Sequence, residues 1–271
     1  MQLAGAIFIV CVIILLSWGM RAFAEWVITE PQLFTTPRSW DVWLEFLSLL
    51  LFLAALGVLA SRVVNVNRFS LHGMYRNRLV RAYLGASNGL KDGQRLLDPF
   101  TGFALNDNLP LQKFASDDAR PLPIVNATLN LVEGDNLAWQ QRKAESFSMT
   151  PYYCGSWSEG YRDSAVYGGP RGITVGTAMT ISGAAVNPNM GYNSSPVLAF
   201  IMGLFNVRLG AWLGNPNIMG NDSYGSTGPK SALMPLFAEL FGLTNSHRRY
   251  VNLSDGGHFD NLGLYEVVLR R

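Results

Sequence analysis

Near the end of the chain, Asp255, His258 and Asp260 bring two carboxylates and an imidazole close together in sequence, with Gly256 and Gly257 between them. Such a set can move a proton, hold a cation or cap a helix. A β-type run, Tyr250, Val251, Asn252 and Leu253, leads into Ser254-Asp255-Gly256-Gly257, and Leu262, Tyr265, Val268 and Leu269 then recur at helical spacing. Asp255 is thus predicted on a strand-to-helix turn, where a rigid sheet exposes loop side chains. The two glycines remove Cβ atoms, allow positive φ and let a backbone or ligand approach the carboxylate. Asp255 is the leading catalytic candidate, and His258 is kept as a neighbour that can support it. Two other readings stay open. An aspartate ahead of a helix is a favourable N-cap. Asp255, His258 and Asp260 are also suitable metal ligands, although they straddle a turn and stable sites need three or four convergent ligands.

A carboxylate base calls for a nucleophile. The elbow pattern G-x-S-x-G, with its serine on a sharp strand-to-helix turn, occurs at Gly85-Ala86-Ser87-Asn88-Gly89. Ser87 follows a basic helical stretch and precedes a turn-rich segment, so its context is not that of an elbow. With 27 glycines in 271 residues, an isolated match also arises readily by chance. Ser87 is kept as the nucleophile that the pattern offers, against its context. Ser182 lacks both flanking glycines and reads as helix packing. His72, His247 and His258 are scattered, and a lone histidine is more often structural than a base.

Several elements must position these residues. Residues 123–132 alternate and are β-branched enough for a core strand. Residues 145–153 read as a short strand, with a Gly- and Tyr-rich loop up to 171. Residues 172–176 read as another short strand, 177–185 as a small-residue helix, 196–212 as one long helix and 214–229 as a loop. Residues 232–241 are predicted helical, packing through Leu233, Leu236, Phe237, Leu240 and Phe241. Residues 75–84 have helical spacing and a basic face, suited either to anionic headgroups or simply to solvent. Strands alternating with helices imply an α/β layered domain. No zinc spacing, P-loop or dinucleotide fingerprint is present.

Composition points to a membrane. Apolar residues make up 49% and charged residues 15%, against about 25% charged in soluble domains. The net charge of +2, from 21 basic and 19 acidic residues, is too balanced to argue for nucleic acid. Residues 3–24 and 42–60 are two apolar stretches of spanning length. The first also has a signal-peptide reading through Ala22-Phe23-Ala24, but its start carries no Lys or Arg. Glu45 sits near one end of the second, and Trp40 and Trp43 suit the interfacial belt. Arg62, Arg68, Arg76, Arg78 and Arg81 follow it, so the positive-inside rule puts the rest in the cytoplasm. The expected organisation is a transmembrane hairpin over 1–61 and a globular unit over 62–271. Cys11 and Cys154 are read as free thiols in a reducing compartment.

The blocks SDGGHFDNLGLYEVVLRR, AMTISGAAVNPNMGY, PIVNATLNLVEGDNLAWQQRKAESFSMTPYYCGS, NVNRFSLHGMYRNRLVRAYLGAS and PLFAELFGL resemble the later part of the large membrane-anchored bacterial members of the patatin-like phospholipase family, over residues 64–271. The resemblance implies a three-layer α/β sandwich, here partial, and a Ser-Asp dyad without histidine, metal or cofactor. In that family the serine lies on a G-x-S-x-G elbow and the aspartate in a DGG motif, which carries over to Asp255 with Gly256 and Gly257. The implied substrate is an acyl-ester lipid, and the implied location is the bacterial inner membrane, with several passes. The family's oxyanion segment and elbow lie upstream of the membrane helices, whereas this chain begins at one, and Ser87 falls in the YLGAS block, which is not the elbow. The chain is therefore expected to be the later part of a longer hydrolase, cut at both ends, with its serine upstream or on a separate chain.

A serine hydroxyl needs a base to take its proton and N–H donors to hold the oxyanion. This chain offers the base alone and is expected to be inactive by itself. The rival expectations are a non-catalytic membrane scaffold or partner-binding module, and a metal enzyme built on Asp255, His258 and Asp260.

Overall fold

The computed structural model describes residues 10–11, 13–19, 21–22, 39–86, 97–100, 102–115, 121–134 and 141–270. The chain divides into two compact units, Met1–Val63 and Val64–Arg271.

In the first unit, residues 13–19 and 21–22 are helical, and helix α1 (Ser39–Val63) runs for 25 residues. Its Leu, Phe, Ala and Val side chains from 47 to 60 are exposed. Among the described residues no helix is long and apolar enough to cross a membrane. At a rise of ~1.5 Å per residue, the part of α1 with described side chains, 47–63, is shorter than the ~30 Å hydrocarbon core. The described residues therefore do not support the spans expected over 3–24 and 42–60, and 3–9, 12, 20 and 23–24 lie outside them.

The second unit is mixed α/β, as expected. Strands β1 (Val125–Asn130), β2 (Ala144–Met149), β3 (Tyr153–Ser156), β4 (Gly160–Asp163), β5 (Ala211–Gly214) and β6 (Tyr250–Asp255) form one sheet in the order β4-β3-β2-β1-β6-β5. Every neighbouring pair is antiparallel. Helix α2 (Leu71–Leu79) starts at Ser70, whose hydroxyl accepts from the His72 amide, and widens into a π-turn over Val80–Gly85. Helices α3 (Val175–Ser182), α4 (Pro196–Leu204), α5 (Leu233–Leu240) and α6 (Leu264–Leu269) follow.

Three segments depart from expectation. The Gly- and Tyr-rich loop before 171 holds the β3–β4 hairpin, closed by Ser156 opposite Gly160, where φ is +81°. Residues 172–176 form no strand; Thr174 caps α3 by accepting from the Thr177 amide. The helix expected over 196–212 ends at Leu204. Asn206 then takes a left-handed φ of +52°, Arg208 turns inward and Ala211 starts β5.

Both faces of the sheet are covered. Side chains alternate along a strand, so Ala127, Leu129, Phe147, Met149, Leu213, Val251 and Leu253 share one face, packed against Ala178 and Ile181 of α3. The other face carries Thr128, Asn130, Ser146, Ser148, Asn252 and Ser254, all buried. It is closed by Glu239 of α5, by the turn at Gly191 and by Arg270, whose Nη2 donates to the Ser148 hydroxyl. The sheet's β5 edge is blunted by Asn67, whose side chain bonds both the N–H and the carbonyl of Trp212, taking the place of a neighbouring strand.

Beneath the polar face lies an ion pair with no solvent access. Arg208 Nη1 donates to both Glu239 oxygens at 2.6 Å, and Trp212 Nε1 and Asn252 Nδ2 donate to the same carboxylate at 2.7 and 3.0 Å. Removing one partner strands the other's charge, so Glu239→Ala is expected to lower unfolding free energy by about 3–5 kcal/mol. The double replacement Arg208→Met/Glu239→Leu should recover most of that loss. Chemical denaturation of the full chain in detergent, followed by tryptophan fluorescence, checks both.

Candidate functional site

The site is assembled at the C-terminal end of β6. Ala127 lies opposite Asp255 and Thr128 opposite Ser254, so the two adjacent side chains project from opposite faces of the sheet. Asp255 is half-buried; Ser254 is fully buried.

Asp255 is the N-cap of a 3-10 turn, Gly256–His258, and its Oδ1 accepts the Gly257 N–H at 2.7 Å. Among the described residues no hydrogen bond claims Oδ2. Capping and a free oxygen thus coexist on one carboxylate. The N-cap position of α6 is Gly263, and the amides around its start are met by Asp260, which accepts the Leu262 N–H through Oδ1 and the Tyr265 N–H at 2.8 Å through Oδ2.

The glycine pair serves space rather than handedness. Neither Gly256 nor Gly257 has positive φ; Gly263, just before α6, does, at +65°. A Cβ on Gly256 would sit 2.8 Å from the Asn126 carbonyl oxygen, and one on Gly257 2.7 Å from Asn261 Oδ1 and 3.1 Å from Asp255 Oδ1. The chain therefore passes tightly over the end of β1, where Thr128 Oγ1 donates to the Gly256 carbonyl and Asn126 Nδ2 to that of Asp260.

His258 is oriented by Ser254, not by Asp255. Asn130 Nδ2 donates to Ser254 Oγ at 2.9 Å, leaving the serine proton to point at His258 Nδ1, 2.8 Å away. Burial lowers the His258 pKa below the usual imidazole value, against the opposing pull of the Asp255 carboxylate and the Ala185 backbone. His258 is thus held through Nδ1, in surroundings that favour the neutral ring. Ser254, with no exposure and its oxygen used both ways, cannot meet a substrate.

The trio weighed as an alternative metal site does not converge: His258 turns to Ser254 and Asp260 to the α6 amides. Among the described residues no group of three His, Cys, Asp or Glu side chains could hold a metal ion. Ser87 lies outside the described residues. Ser182 ends α3, and among the described residues no serine hydroxyl bonds Asp255. His72 Nδ1 faces the Leu209 carbonyl at 2.7 Å, and burial lowers its pKa to about 4. Both cysteines are free, and burial raises that of Cys154 to about 12.

The reading from sequence missed the buried Ser254–His258 bond and the relay behind it. Asn252 Oδ1 accepts from Asn130 and from Asn187, and Asn130 Oδ1 accepts the Gly191 N–H. The available signal was the recurrence of Asn, Thr or Ser at every second position of both β1 and β6.

No family model, curated protein or solved structure matches this chain.

Two measurements test the site's geometry. In 15N NMR of the full chain, the neutral form of the His258 ring should predominate at pH 6.5, with Nδ1 unprotonated and accepting from Ser254; a ring protonated on Nδ1 at that pH would contradict the bonding described. Gly256→Ala forces a Cβ against the Asn126 backbone and is expected to destabilise by about 1–3 kcal/mol in chemical denaturation.

Proposed function

We propose that this chain carries the base half of a membrane-bound, patatin-like acyl-ester hydrolase acting on lipid. One observation supports the reading above others: Asp255 holds one oxygen on the Gly257 N–H while its second is unclaimed among the described residues, at a strand end followed by two glycines. One oxygen fixes orientation and the other can take a proton. The helices against both faces of the sheet agree with a layered sandwich of the kind the resemblance implies, although the sheet here is antiparallel throughout.

In this reading a serine from upstream, or from a separate chain, approaches Oδ2. Its oxygen attacks the ester carbonyl as its proton passes to Asp255, and the leaving alcohol takes that proton when the C–O bond breaks. Water then attacks the acyl-enzyme, giving its proton to Asp255, and the serine oxygen recovers it as the carboxylic acid departs. Neither step calls for a metal. The exposed apolar surface of α1, together with the arginines that follow it, supports anchoring at the inner membrane with the globular unit on the cytoplasmic side.

A non-catalytic scaffold is the second reading. The observation favouring it is that His258 and Ser254 satisfy each other and no serine among the described residues reaches Asp255.

The chain alone is expected to show no turnover of short-chain acyl esters. Joined to the protein segment encoded upstream of Met1, it should become active, and Asp255→Asn should then reduce kcat at least about a hundredfold with unfolding unchanged and no effect of chelators. Activity of the chain alone that vanishes in Ser87→Ala, or activity retained in Asp255→Asn, would sink the assignment.

A further inference from the structure

A cavity of about 390 Å³ opens beside α5, away from the residues around Asp255. Lys230, Arg248 and Arg249 line it with a single carboxylate, Asp222, and Trp212 and Tyr250 supply aromatic wall. Among the described residues none of the three cations is in an ion pair. The backbone carrying the two arginines is fixed: the Asn215 side chain donates to the Arg248 carbonyl, and the Asn215 N–H and Ser223 hydroxyl to that of Arg249. The backbone thus keeps Arg248 and Arg249 at the cavity, and among the described residues no ion pair neutralises them or Lys230.

The cavity continues into an apolar surface. Met234 lines it and also belongs to the outward side of α5, where Leu233, Met234, Phe237 and Phe241 are all exposed, Phe237 at 52%. Leu233, Phe237 and Phe241 are residues that the helical spacing assigns to a packing face. The inward side is instead Pro235, Ala238 and the ion-paired Glu239. Unpaired cations beside exposed aromatic and aliphatic side chains are the chemistry of an interfacial surface, with apolar groups below headgroup level and cations at the phosphates. An acidic protein would answer the charges but leave the apolar side unexplained, and the same chain carries α1, whose described apolar side chains are exposed from 47 to 60.

We propose that this cavity seats the phosphate-bearing headgroup of an anionic phospholipid while the outer side of α5 lies in the interfacial layer of the bilayer. The proposal stands on this surface and not on the role of Asp255.

The test is amide hydrogen exchange on the full chain in nanodiscs of zwitterionic lipid, with and without an anionic phospholipid. Residues 230–241 and 248–250 should exchange more slowly when anionic lipid is present, and inorganic phosphate added to the zwitterionic discs should not reproduce the effect. A basic residue near an anionic surface contributes about fivefold in affinity, so Lys230→Ala/Arg248→Ala/Arg249→Ala should weaken the response about a hundredfold as the anionic fraction is titrated. Phe237→Ser, at an exposed position, should weaken it without touching the charges. Equal exchange in the two discs, slowing retained in the triple variant, or slowing by phosphate alone would overturn the proposal. So would slowing by an acidic polypeptide with none from anionic lipid, which would assign the surface to a protein partner.

Discussion

The carboxylate of Glu239 is the point from which the polar side of the sheet is held. A charge with almost no solvent exposure is tolerated only if it is paired and its lone pairs are filled. Here Arg208, Trp212 and Asn252 fill them. From Asn252 the bonding passes to Asn130, from Asn130 to Ser254, and from Ser254 to His258. Each of these groups is buried or half-buried, so losing any one would leave its neighbour unsatisfied, at about 1–3 kcal/mol per group. A sheet with one apolar and one polar face, both covered, depends on this relay.

The relay also accounts for the stillness of the candidate site. The backbone at Ser254 is gripped from the polar side by Asn130 and His258, while Leu253 packs into the apolar core on the other. Asp255 follows directly, its direction set by strand alternation and by the Gly257 N–H. Past it, the chain can cross the end of β1 only because Gly256 has no Cβ to strike Asn126. A carboxylate held this way spends little ordering entropy when a reactant arrives, which is what a general base requires.

The sequence made the local features around Asp255 legible: strand β6, the turn, a following helix and the small-residue helix α3 all follow from periodicity and glycine placement. Other features depended on partners distant in the chain. Apolar spacing predicts an inward face for Leu262, Tyr265, Val268 and Leu269, yet in α6 the buried residue is Glu266, tied to Arg270, and those four are exposed. The same inversion occurs in α5, because Glu239 has a buried arginine to meet. Alternation over 123–132 predicts a core strand, and only tertiary contact shows what covers the side of Asn126, Thr128 and Asn130: the Asp260 and Gly256 carbonyls and the Asn252 side chain. The end of helix α4 was hidden because Phe205 to Trp212 remains apolar enough to continue it, and the break falls at the left-handed Asn206, between Gly203 and Gly210, and not at either glycine.

The proposal at the centre of this account is that Asp255 serves a serine outside residues 62–271. It is tested most directly by labelling with a fluorophosphonate, which reacts with an activated serine, in the chain alone and in the chain joined to its upstream segment, and mapping the modified residue by mass spectrometry. The account expects no label on the chain alone and a single labelled serine in the upstream segment of the joined protein. Label on Ser87, or on any other serine of residues 62–271, would contradict it.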